Sequence, residues 1–114
     1  MTLFEFKDSP ATCTYLYGFD AGNFSVIDND KKDFAVPIRI GIRRSKIKYL
    51  DAREFFRLLE AAILFFESFF STKFPFHKYD NIFVPEFRIR GMENVGMINM
   101  TDKYFRPKFE VTES

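Results

Sequence analysis

The chain is 114 residues long, with 17 Lys and Arg against 16 Asp and Glu and a net charge of +1. Because the charges are interspersed rather than blocked, no long-range field forms that would hold a polyanion, and nucleic acid is not indicated as a partner. This length suits one domain or a piece of a larger one, and seventeen Phe with no Trp is more aromatic surface than so small a core readily hides, which marks some of it for a partner surface.

The opening MTLFEFKDSP has no cationic segment followed by an apolar core of signal-peptide length. No secretion signal is visible, and a cytoplasmic location is the expectation. From Thr12 to Phe19, Cys13, Tyr15, Tyr17 and Phe19 alternate with Thr12, Thr14, Leu16 and Gly18, a period-two pattern that predicts a strand. Cys13 is the only cysteine and cannot form an internal disulfide. Turn residues at 20–23 lead into an extended FSVI, and DNDKKD at 28–33 reads as a polar hairpin loop. In FAVPIRIGIRR, Ile38, Ile40 and Ile42 alternate with Arg39, Gly41 and Arg43, and Pro37 falls near the strand start, where a missing donor costs least. The first 44 residues thus read as all-β. The basic cluster Arg43, Arg44, Lys46 and Lys48 is read as a solvated connector in preference to a phosphate site.

A helix is predicted from Asp51, which caps it, with Glu54 completing a capping box and Leu50 stapling to Phe55. Phe55, Leu59, Ala62, Phe66 and Phe70 recur at helical spacing opposite a polar strip of Arg53, Arg57, Glu60, Glu67 and Ser71. Phe56, Leu58, Ile63, Phe65 and Phe69 widen the apolar arc, so protein is expected around most of the helix. The uninterrupted apolar run from Ala61 to Phe66 falls far short of the roughly 20 residues that span a bilayer, so no membrane segment is indicated. The helix should fail by Lys73, since Pro75 restricts Phe74 to extended conformations. NIFVPEF and VGMINM then read as strands flanking a break at RGMEN, and the tail TDKYFRPKFEVTES is polar with no closing element. The fold class is α+β.

YLYGFDAGNF, FPFHKYDNIFVPEF and RGMENVG, in this order and spacing, resemble the M1 zinc aminopeptidases, and the likeness covers nearly the whole chain. The resemblance implies an all-β segment at 1–44, the last strands of a saddle-like amino-terminal β domain, followed at 45–114 by the incomplete start of a thermolysin-like catalytic domain. It implies that Glu93 holds the free ammonium of a peptide's first residue, with Gly91, Met92 and their neighbours alongside an extended substrate. A charge-assisted bond of that kind contributes about 1.5 to 3 kcal/mol, or about ten- to a hundred-fold in preference for amino termini. Relatives add a second acidic or amide group from earlier in the amino-terminal domain, a part that precedes the segment matched by this chain. For Asn94, a bend-stabilising role in which the amide bonds nearby backbone stands beside substrate contact. Gly96 is expected to relieve a steric constraint. Ile89 falls where some relatives line the pocket for the first side chain, or is an ordinary buried strand residue. His77 is assigned no ligand role.

Two departures qualify the likeness. Arg90 stands where relatives usually have glycine, which hinders close approach of substrate backbone. The family's zinc site, His-Glu-x-x-His with a further glutamate, needs two histidines, and this chain has one. The expectation is therefore a fragment that binds no zinc and is inert alone, whose parent hydrolyses amino-terminal residues from peptides. The alternative is a non-catalytic peptide-binding or scaffold module derived from an M1 ancestor.

Overall fold

Isoleucines two residues apart point to one face of a strand, and in the computed structural model, which describes residues 1–31 and 33–107, Ile38, Ile40 and Ile42 of β2 (Ile38–Ile42) are fully buried. β2 is the second strand of a five-stranded sheet in the order β1-β2-β3-β5-β4. The others are β1 (Ser25–Asp28), β3 (Tyr79–Val84), β4 (Gly91–Met92) and β5 (Met97–Thr101). β1 pairs antiparallel with β2 and β4 antiparallel with β5, while β2–β3 and β3–β5 are parallel. A parallel pair needs a crossover. Between β2 and β3 it is supplied by α1 (Ala52–Phe70), entered through a 3-10 helix at Arg44–Tyr49.

The basic cluster falls on that entry. Arg43 reaches back to Asp102 at 2.6 Å, and Lys46 donates to the Phe105 carbonyl at 2.7 Å, so both tie the connector to the end of β5. Asp51 caps α1 by accepting from the Glu54 N–H at 3.0 Å. The reciprocal half of the capping box does not form, because the Glu54 carboxylate turns instead to Arg57. At the other end Ser71 adopts a left-handed conformation and closes the helix, and Glu67 accepts from the Phe74 N–H at 2.8 Å.

Ile38, Ile40, Ile42, Phe56, Ile63 and Phe83 form the buried cluster, with Phe55 and Phe105 edge-on to Phe83. The packed stripe of α1 therefore lies on its amino-terminal half. Phe66 and Phe70, expected on the core face, are exposed together with Leu64, Phe65 and Phe69. Glu60, expected on the polar strip, is buried where Asn29 and Lys31 meet its carboxylate, and their bonds hold its pKa below the ordinary range against burial. Only part of the circumference is covered among the described residues.

The strand expected over Thr12–Phe19 does not form. Residues Thr14–Leu16 make one 3-10 turn, and Cys13, Tyr15, Tyr17 and Phe19 are exposed. Alternation alone makes no strand where no neighbour offers a ladder; here the carbonyls of Leu16 and Tyr17 are taken by the residue 94 region instead. Strands from both sides of residue 44 share one continuous sheet. Within the expected hairpin loop Lys32 lies outside the described residues, as do residues 108–114 of the tail; before them a 3-10 turn spans Asp102–Tyr104.

Candidate functional site

β4 is two residues long and sits at the sheet edge, with Gly91 opposite Met100 and Met92 opposite Asn99 on β5. Its other edge carries no strand among the described residues, and an open edge offers backbone donors and acceptors to an extended chain. Glu93 follows immediately and is exposed. The ion pairs among the described residues involve neither Glu93 nor Arg90, which is also exposed. Ile89 is 52% exposed and outside any strand, so it is not the buried strand residue that was the plainer of its two readings. A Cβ on Gly91 would meet the chain only at ordinary distances, 3.5 Å to the Asn99 carbonyl and 3.8 Å to Met100. Nothing in the described fold requires glycine there.

Asn94 is buried. Its Nδ2 donates to the carbonyls of Leu16 and Tyr17, both at 3.3 Å, and its Oδ1 accepts from Asn99 Nδ2 at 3.1 Å. The neighbouring Val95 N–H donates to the Leu16 carbonyl at 3.1 Å. The backbone that Asn94 bonds is thus not its own turn but a segment 77 and 78 positions away. Two residues on, Gly96 has φ +65°, and a Cβ there would approach the Lys78 carbonyl to 3.1 Å, which is the steric reason for glycine. The Gly96 carbonyl accepts from the Asp80 N–H at 2.9 Å and from Lys78 Nζ at 3.1 Å.

Asp80, on β3, anchors this side of the bend. It is buried and accepts from Arg39 Nε and Nη2 at 2.7 and 2.8 Å and from Lys78 Nζ at 2.6 Å. Burial pushes its pKa up, but the bonds and charges of Arg39 and Lys78 outweigh it, and the carboxyl sits below its ordinary value. The chemistry of the site is therefore one free carboxylate, Glu93, at a bend whose flanks are fixed by Asn94 on one side and by Gly96 with Asp80 and Lys78 on the other.

Lys78, Asp80 and Gly18 all lie in the segments quoted for the family resemblance but carried no assigned role there. Asn99 gave no signal, since it becomes significant only through its register opposite Met92.

Peptidase family M1 domain is the description of the family whose pattern matches residues 56–112, half of the chain. The chain belongs to peptidase family M1. It is 33% identical over 109 residues to aminopeptidase N of Streptomyces lividans, covering 93% of this chain and 13% of that protein. It is 32% identical over 94 residues to the mitochondrial aminopeptidase 2 of Saccharomyces cerevisiae, covering 82% and 9%. It is 31% identical over 98 residues to tricorn protease-interacting factor F2 of Thermoplasma acidophilum, covering 86% and 12%. The M1 chain thus spans about an eighth or less of these relatives.

The family implies zinc, and the donor set here does not fit it. Among the described residues no three His, Cys, Asp or Glu side chains converge on one point, and the single histidine, His77, is exposed. No helix among them is long and apolar enough to cross a membrane.

Proposed function

We propose that this chain is the part of an M1 metalloaminopeptidase that recognises the amino terminus of a peptide substrate, and that its parent protein hydrolyses amino-terminal residues from peptides. The observation that carries the reading is a free, exposed carboxylate, Glu93, one residue beyond an open edge strand. An extended peptide can add to such an edge through its backbone, and its terminal ammonium then meets the carboxylate. Met92 and Gly91 supply the edge, the absence of a side chain at Gly91 leaves room for close approach, and exposed Ile89 stands where a first side chain would lie. Asn94 serves this site from within the fold. No hydrolytic step is assigned to these 114 residues, because zinc chemistry requires donors that they lack.

Rebuilding a complete enzyme around these residues, with the remaining segments of a relative, tests the reading. Glu93→Ala is expected to cost about 1.5 to 3 kcal/mol in transition-state binding for free peptides and almost nothing for acetylated ones. Equal loss on both substrates would make the carboxylate structural and refute the assignment.

Arg90, in place of the family's glycine, favours a second reading as a non-catalytic peptide-binding module. Its guanidinium is exposed and outside the ion pairs, so it would weaken binding by repelling an ammonium or crowding substrate backbone rather than by sequestering Glu93. Arg90→Gly in the same complete enzyme is expected to raise activity on free peptides; unchanged activity removes the support for this second reading.

A further inference from the structure

Glu93 makes no contact that fixes it, so its direction must be set by the residues on either side. Met92 is held by the ladder to Asn99. Asn94 is held by four polar contacts shared with its neighbour Val95, and the geometry allows only one orientation of its amide. Both groups facing Nδ2 are carbonyl oxygens, which only accept, so Oδ1 must face Asn99 and Asn99 must donate. That leaves Asn99 Oδ1 buried without a partner among the described residues. A buried network of this kind has little freedom to relax.

Gly18 closes the arrangement from the amino-terminal side. A Cβ there would come within 2.8 Å of Asn94 Cγ, 2.9 Å of its Nδ2 and 3.0 Å of Met97 Cε. The Met97 methyl can move aside, but the Asn94 amide cannot without breaking its bonds to Leu16, Tyr17 and Asn99. We propose that Asn94 is a positioning residue for Glu93, clamped between the Leu16–Gly18 segment and Asn99, so that the amino-terminal segment sets the direction of the ammonium-binding carboxylate. This rests on the reading of Glu93 as the ammonium acceptor.

The test uses the isotopically labelled 114-residue chain as wild type, Asn94→Ala, Gly18→Ala and, as a distant control, Lys73→Ala. Tri-alanine and its acetylated form are the probes. The wild type is expected to show a Glu93 carboxyl shift with tri-alanine only. In Asn94→Ala and Gly18→Ala the order parameter of the Glu93 N–H is expected to fall from about 0.85 to below about 0.6, and tri-alanine affinity at least about fivefold, the equivalent of about 1 kcal/mol. Lys73→Ala is expected to match the wild type. Gly18→Ala removes no hydrogen-bonding group and decides the matter if Asn94→Ala does not fold. A wild type that responds, with folded variants that respond equally and keep Glu93 ordered, overturns the positioning role alone. A wild type with no response specific to the free amine overturns the recognition reading and this inference with it.

Discussion

Asp80→Asn keeps the size and shape of the side chain and deletes the charge at the centre of the sheet's polar face. In the folded chain that carboxylate takes two bonds from Arg39 and one from Lys78, and is itself buried. Breaking a fully buried ion pair costs about 3 to 5 kcal/mol because a charge is stranded. Here the stranded groups are the cations, and both of their side chains are 43% exposed, so they can turn toward water and recover part of the loss. One charge-assisted interaction, about 1.5 to 3 kcal/mol, is the fitting scale, and the expected loss is about 2 to 3 kcal/mol. Against a total stability of about 5 to 15 kcal/mol that is readily measured by urea unfolding followed by far-UV circular dichroism. The pH dependence has a definite sign. Asp80's folded pKa lies below its ordinary value, so its contribution is complete above about pH 4 and is lost as pH falls through the folded value. The gap between wild type and variant is therefore expected to be the same at neutral pH as at mildly acidic pH, and to shrink from about pH 4 downward. A gap under about 0.5 kcal/mol at neutral pH, or one that persists unchanged in acid, would refute the assignment of Asp80 as the anchor of the bend.

Gly96→Ala forces a side chain into a left-handed backbone and against the Lys78 carbonyl, and is expected to lower the unfolding free energy by about 1 to 3 kcal/mol in the same urea assay. Ser71→Gly should do the opposite: it relieves a left-handed non-glycine cap with φ 51° and is expected to stabilise by about 0.5 to 1 kcal/mol. Phe65 and Phe69 are stacked on each other at 5.9 Å on the exposed face of α1. Replacing both with Gln is expected to reduce hydrophobic-dye binding and light scattering while costing under about 1 kcal/mol, since only a surface pair is lost.

The elements whose patterns agree with their surroundings were legible in the sequence. β2 follows from Ile38, Ile40 and Ile42, α1 from Asp51 and its apolar spacing, and the two later strands from NIFVPEF and VGMINM broken at the glutamate and asparagine. Their faces are long or regular enough that burial and local preference point the same way. Tertiary structure decided the rest. Residues 12–19 alternate as a strand would, yet their carbonyls at Leu16 and Tyr17 go to Asn94 and Val95, because a backbone acceptor takes the partner that folding brings to it. Glu60 lies on the polar strip by spacing, but Asn29 and Lys31, about thirty residues earlier, make its burial tolerable. The exposed half of α1 reads in sequence as a core face, since periodicity reports that a helix has an apolar side and not whether anything covers it. The site divides in the same way. Glu93 and its bend are visible as a run of adjacent residues, whereas the clamp on Asn94 joins Leu16, Tyr17, Gly18 and Asn99, which are neighbours only after the sheet has set Asn99 opposite Met92 and the amino-terminal segment has docked beside it.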